Sequence, residues 1–508
     1  MFKQHYERFS VNINKFSRPK VSLCDTKQKS VNLLCKLVFK FVNLPRFLDN
    51  NLNKKNMSKD ILIKKGLDIK LKGEAEKTLE KAILSNFYIL RPEDFHGLTP
   101  KLIFKVGARV KAGEPVFYDK NEESIQFVSP VSGEIVEIDR GEKRRILSVK
   151  ILADKTQTYK EYGVVNPDVA NAEAIKARLL ESGCWAFIKQ RPYDVIANPN
   201  KSPKSIFISG YATAPLAADL DFTLKGKETE LQAAITALGK LTSGKVHVGV
   251  GKSSNSPLAG LKGITVHKIS GPHPSGNVGT LINKIDPVNK GEVVWTVNAQ
   301  DLVIIGELLL TGKFNAERIV ALVGSSIEKP RYFVTKLGSE IATIIYDKGI
   351  SQNANVRIIS GNVLSGKHIK PDGYLDYYSN VITVIPEGDD YELFGWNKPV
   401  FNKISTSRAL TFSWLNPKKE YELDTNNNGE HRAFVTTGVY EEVFPLDIYP
   451  MQILKACMYK DLDEMEALGM YEVAPEDFAL TEFVCVSKQP HQDIIRKGLD
   501  LMLKEIGE

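Results

Sequence analysis

The chain has 508 residues, 43% of them hydrophobic and 25% charged, with 36 Gly and 24 Pro. At about 150 residues per domain, that length implies three or four domains. The balance excludes a disordered, collagen-like or disulfide-framework protein, and five cysteines in so long a chain read as reduced thiols. No uninterrupted apolar run of about 18 residues offers a bilayer span.

The net charge of +7 is unevenly placed. Residues 1–56 hold 12 Lys/Arg against 3 Asp/Glu, a local +9, which leaves −2 on the remaining 452 residues. A nucleic-acid-binding body would carry its excess cations on the folded part, so small molecules and proteins are the expected partners. Within the leader, Asn32, Lys36, Lys40 and Asn43 share one helical stripe, with Leu34, Leu37 and Phe41 elsewhere. Such a segment can lie on an anionic membrane surface. The abrupt change of composition at Met57 favours the other reading, upstream sequence outside the fold.

From Phe95 short alternating apolar runs are broken by Gly107, Gly113, Pro115, Pro130 and Gly133, the text of strands and tight turns. The pieces VGARVKAGEPVF and SPVSGEIVEI resemble the lipoyl/biotinyl barrel-sandwich family. Lys120 is the one position for a swinging cofactor, but it lies nine positions before Ser129, long for a carrier hairpin. An ordinary turn lysine with no covalent lipoyl or biotin is the expectation.

Residues 161–312 have the rhythm of a parallel α/β sheet. A strand at Ile206–Ile208 precedes a helical run with Leu231, Ala234, Ile235 and Leu238 on one face, and KVHVGVG then enters a Gly/Ser turn. Gly251-Lys252-Ser253 looks like the end of a phosphate-binding loop, but the required glycine at 246 is Val246, and a dinucleotide fingerprint from Gly249 and Gly251 meets Ser254. Further on, Gly271, Gly276 and Gly279 with two prolines predict an exposed turn around His273, a group able to titrate near neutrality or simply to bond backbone. EVVWTV predicts a buried strand, and Asp301 after it reads as a helix N-cap.

Taken in order, SPVSGEIVEIDRGEKRR, GCWAFIKQRPYDVIANPNKSPKSIF, ATAPLAAD, GPHPSGNVGTLINKIDPVNKGEVVWTVNAQDLVIIG, RIISGNVLSG, EGDDYELFGW and PEDFALTEFVC resemble the A subunit family of the sodium-translocating NADH:quinone oxidoreductase. The resemblance runs from about residue 60 to the C-terminus. It implies a peripheral subunit on the cytoplasmic face of a bacterial inner membrane. Its partners would be five other subunits, some of them integral membrane proteins, in a pump that passes electrons from NADH to a ubiquinone-type quinone and exports sodium.

The implied fold is a multidomain α/β and α+β protein. Residues 57–160 form a barrel-sandwich hybrid, 161–312 a Rossmann-like α/β domain, 313–375 a β-grasp (soluble-ligand-binding) module with turns at Gly361 and Gly366, and 441–508 a helical domain. Residues 376–440 are β-biased without a role, with a turn at Asn426–Gly429. In the last segment Asp461 and Glu464 have capping-box spacing, and Ile495, Leu499, Met502 and Ile506 share a helix face suited to packing on a neighbouring domain or subunit.

The flavin-binding subunit of respiratory complex I and the C subunit of the Rnf complex are related folds that carry FMN, NADH or iron–sulfur clusters. Beyond Met57 only Cys184, Cys457 and Cys485 remain, too few for a four-thiolate cluster, no C-x-x-C occurs, and no metal site is expected. The degraded glycine fingerprint speaks against FMN and NAD. Quinone is then the expected ligand, beside the turns carrying Gly249, Gly251, Lys252, Ser253 and Gly276, with His273 and Trp295 as candidate partners. Two alternatives stand beside this one, a free-standing flavoprotein NADH dehydrogenase and an assembly scaffold that binds nothing.

Overall fold

The computed structural model describes residues 60–345, 350, 355–389, 393, 403–405, 414–435 and 437–507. Met1–Asn56 and Met57–Glu508 are separate units, and everything below concerns the second. The leader, most of EGDDYELFGW and much of 390–413 lie outside the described residues.

Two small antiparallel sheets face each other between residues 87 and 153. One joins Phe87–Leu90, Ile146–Ala153, Gly133–Arg140 and Arg109–Val110, the other Pro100–Leu102, Pro115–Asp119 and Gln126–Val128. The alternation seen in the sequence sends Phe117 and Phe127 inward, stacked at 5.0 Å, with Phe95 against them at 4.4 Å from Phe127. Lys120 is exposed just past a strand end, and its backbone N–H donates to Thr99 O at 2.8 Å.

Two strands inside the span 57–160 pair outside the two barrel sheets. Asp60–Leu62 runs parallel to Ile264–Ser270 in the α/β sheet, and Glu76–Lys81 runs parallel to Arg331–Lys336 in a third sheet. Short edge strands go where a free hydrogen-bonding edge is offered, which local alternation does not report. Gly66, at φ +145°, lets the connection pass close to the turn at His273, because a Cβ there would sit 2.2 Å from His273 O.

The α/β sheet has seven strands, ordered Asp60–Leu62, Ile264–Ser270, Lys245–Gly251, Ser205–Ser209, Val294–Asn298, Ile188–Arg191 and Val195–Ile196. The first five are parallel; Ile188–Arg191 runs antiparallel to Val294–Asn298, and Val195–Ile196 runs antiparallel to Ile188–Arg191. From Ser205–Ser209 the chain first builds towards one edge, then returns to add Val294–Asn298 on the other side. Such a reversal leaves a crevice beyond the strand C-termini, where ligands of open α/β sheets bind. Helices Glu228–Lys240 and Asp301–Thr311 cross at Gly306, where a Cβ would meet Glu230 O at 1.9 Å.

The third sheet is ordered Lys367–Ile369, Val356–Ser360, Val381–Pro386, Glu317–Val323, Arg331–Lys336 and Glu76–Lys81. Its inner strand Val381–Pro386 lies beyond the boundary drawn at 375, because VITVIP is a continuous apolar run buried on both faces. Asn428 adopts φ 49° in the turn expected there.

The C-terminal helices Pro450–Tyr459, Leu462–Ala467 and His491–Glu505 cover one face of the α/β sheet. Ile495, Leu499 and Met502 join Phe207, Ile269, Leu281 and Ile282 in one core, so the apolar stripe finds its neighbour within the chain. Asp461 caps its helix by accepting from Glu464 N at 3.1 Å. Burial in this core pushes the Cys457 thiol up to about 12, as suits an inert packing residue. No described helix is long and apolar enough to cross a membrane.

Candidate functional site

A cavity of about 560 Å³ opens where the strand order reverses. Ser209 and Asn298, at the ends of the two diverging strands, line it together with Tyr211, Thr213, Gly276 and Asn277. The third sheet closes the far side with the Ser360–Lys367 turn and Tyr378, and Glu476 enters from the C-terminal segment. Three structural layers therefore meet at one space whose wall mixes Ala, Val, Leu and Phe side chains with charged groups.

The charges are unequally satisfied. Asp376 is ion-paired with Arg91, and Asp301 with Arg318. Arg191 is fully buried and donates to Asp477 Oδ2 at 2.5 Å and Glu472 O at 2.7 Å. Lys189, two residues earlier on the same strand, places its ammonium 4.3 Å from the centre of the Tyr378 ring, and no described carboxylate lies within ion-pair distance. Burial pushes the Asp301 and Asp376 carboxyls up to about 6. Glu476 is exposed; Asp477 and Asp194 raise its carboxyl, and Arg191 and Lys189 oppose them. Asp194 behaves oppositely: burial alone would raise it, but Lys189, Arg191, Arg496 and His96 hold it below the ordinary carboxylate value.

Of the seven residues named as quinone candidates, Gly276 lines this cavity and the others do not, while Asp301, Gly361 and Gly366, read in the sequence as an N-cap and as turns, line it too. Gly249 is packed against Ile269 and Leu281 and pairs with Ser209, and Gly251 is packed against the Tyr211 ring, so the glycine loop stands behind the cavity wall. Lys252 is exposed, 3.8 Å from Asp60, and Ser253 is exposed beside it.

His273 is not on an exposed turn: it is 3% exposed, its Nδ1 is 3.1 Å from Thr213 Oγ1, and its backbone N–H donates to Asp68 Oδ1 at 2.9 Å. The segment around Asp68 covers a turn that glycine and proline content alone presents as open. Burial pulls His273 down to about 4, so it is neutral near pH 7 and does not titrate there. Trp295 lies in the barrel-side core, edge-on to Trp185 at 5.3 Å. Asp301 is one residue inside its helix, with Gln300 at the N-cap, because Arg318 draws its side chain into the protein.

Lys189, Arg191, Asp194, Asp376, Tyr378 and Glu476 went unrecognised individually. One usable signal was charge inside the strand text FIKQRPYD; the pairing of Arg191 with Asp477, 286 positions apart, had none.

His273 and His491, both pulled down to about 4 from 6.5, are neutral in the fold. Their contribution to stability is complete above pH 6.5 and is lost as pH falls towards 4. Urea midpoints measured from pH 7 to 4 are expected to fall less in His273→Gln/His491→Gln than in the parent chain.

The fold and site define a multidomain α/β protein with a ligand-sized crevice at the reversal of its parallel sheet. Its segments match the families described as NqrA N-terminal barrel-sandwich hybrid domain (residues 61–154), NqrA second alpha/beta domain (170–314) and NQRA C-terminal domain (319–370). The chain belongs to the family of A subunits of the Na(+)-translocating NADH-quinone reductase, and is thereby a component of an oxidoreductase complex. It is 37% identical to the corresponding protein of Neisseria meningitidis over 88% of this chain and 100% of that one, and 35% identical to that of Haemophilus influenzae over the same shares. It is 34% identical to that of Rhodopirellula baltica over 87% of this chain and 98% of the relative.

Proposed function

We propose that this chain is the peripheral subunit through which a sodium-translocating NADH:quinone reductase holds a quinone head group, in the cavity between Asn298, Tyr378 and Glu476. The observation that carries the reading is the cavity itself: it stands at the sheet reversal, and its apolar side suits a substituted ring while its polar side meets carbonyl oxygens. Lys189 is the donor for one carbonyl; its ammonium faces the Tyr378 ring at 4.3 Å, and its charge also acts on Asp194. The partners in this reading are five other subunits, including integral membrane proteins, on the cytoplasmic face of a bacterial membrane. The mostly parallel sheet is read as Rossmann-like and the six-stranded sheet as the β-grasp module. No FMN, NAD, iron–sulfur cluster or covalent lipoyl group is assigned to this chain.

The test is labelling of the assembled complex with a diazirine-bearing benzoquinone, followed by peptide mapping. Adducts within residues 186–194, 296–301 or 376–381, suppressed by excess unlabelled short-chain ubiquinone, are expected. Saturable labelling confined to other subunits removes the quinone from this cavity.

A further inference from the structure

We infer that one face of the barrel, the turn 105–108 together with the hairpin 140–146, rests on the anionic lipid surface beside the membrane subunits. This face rests on the peripheral-subunit reading above and adds to it a contact with lipid rather than protein.

Residues 101–111 carry Lys101, Lys105, Arg109 and Lys111 and no carboxylate. Residues 139–145 carry Arg140, Lys143, Arg144 and Arg145 against Asp139 and Glu142. These 18 residues hold a net +6, which leaves −8 on the other 434 residues of a body that nets −2. Lys101 approaches Glu123 at 3.9 Å, and Arg109 is ion-paired with Asp154. Lys105, Arg140, Lys143, Arg144 and Arg145 are exposed.

The fold brings both segments to one strand. Gly107 N donates to Ile135 O at 2.8 Å and Ile135 N to Ala108 O at 2.9 Å, which lays the turn against Gly133–Arg140. The hairpin begins where that strand ends, five residues or about 17 Å further on. Ile103 and Val106, 44% and 57% exposed, lie between the cations of the first segment. Exposed aliphatic groups with lysine and arginine around them suit the boundary between headgroups and acyl chains. An extended anionic surface also meets charges spread along a strand, whereas a small anion needs polar groups that converge on one point.

The hairpin turn is strained. Arg145 N donates to Glu142 O at 3.1 Å, and both central residues are left-handed, Lys143 at φ 52° and Arg144 at φ 62°. Asn-Gly takes up that conformation with least strain, so two cations stand where the backbone disfavours them. Arg140 Nη1 donates to Arg144 O at 3.1 Å and holds the turn, while the Lys143 and Arg144 side chains stay exposed.

The experiment is co-sedimentation of the full chain with vesicles of phosphatidylcholine, alone or mixed with phosphatidylglycerol. The chain should bind the anionic vesicles and not the neutral ones, with affinity falling as salt rises. Lys143→Asn/Arg144→Gly should lower the partition coefficient roughly 30-fold. The same variant relaxes the turn and should raise the denaturant midpoint, which separates lost binding from lost folding. Val106→Ser should lower binding about threefold. The leader is a second basic segment, so Lys36→Gln/Lys40→Gln is the matched control and should keep most of the binding. Binding that follows the leader lysines and not the hairpin, or that is equal on neutral vesicles, overturns the lipid face. So does a Lys143→Asn/Arg144→Gly chain that binds vesicles normally but no longer assembles, since the hairpin then meets an acidic protein surface. In those cases a parent chain recovered with integral subunits from detergent-solubilised membranes leaves the peripheral reading standing. A parent chain recovered without them removes that reading, and the lipid face falls with it.

Discussion

Asp477→Ala is expected to destabilise the protein by about 3–5 kcal/mol, read as a fall in the denaturant midpoint of the isolated chain. Arg191 is 2% exposed, and Asp477 Oδ2 is its one charged partner within hydrogen-bond distance among the described residues. Removing the carboxylate leaves a guanidinium in a low-dielectric interior, with the Glu472 carbonyl as its remaining acceptor and Nε already unpartnered. The same carboxylate accepts from Ala474 N at 2.9 Å, so the cap of the short helix Pro475–Phe478 goes with it. Arg191→Met/Asp477→Leu should be markedly less damaging than Asp477→Ala, because no charge is then left alone. Equal losses in the two variants would mean that the effect comes from packing rather than from the stranded charge.

Local pattern carried the parts of the fold whose cause is local. The strands at 205–209, 245–251 and 294–298, the helix Glu228–Lys240 and the capped helix starting after Asp461 follow from periodicity and end signals that neighbouring residues supply. What escaped is set by distant partners. Asp60–Leu62 and Glu76–Lys81 took edges offered more than 190 residues away, and Val381–Pro386 belongs between strands that precede it. The site divides in the same way. The glycine turn was visible as a motif and holds a tight passage against Tyr211, whereas the cavity lies one strand over, where the sheet changes direction. His273 shows the limit most sharply: composition gives it an exposed turn and titration near neutrality, and burial under the segment around Asp68 gives it neither.

The two buried tryptophans separate a packing role from a ligand role. Trp185 is fully buried, stands edge-on to Trp295, and donates from Nε1 to Ala197 O at 2.7 Å. Trp185→Ala removes a large core side chain and strands that carbonyl, with an expected cost of about 3–5 kcal/mol by calorimetry or denaturant titration. Trp295 is 2% exposed in the same core, but its Nε1 has no partner. Trp295→Phe therefore discards a donor that contributes no hydrogen bond and keeps most of the ring contact, so a loss below about 1.5 kcal/mol is expected. Thr296, Val297 and Asn298 on the same strand line the cavity, while Trp295 packs into the core between the sheet and the barrel. Quinone turnover of the complex carrying Trp295→Phe should match the parent at every quinone concentration. A raised KM with unchanged stability would bring Trp295 into the ligand's reach and require the cavity to extend past the end of its strand.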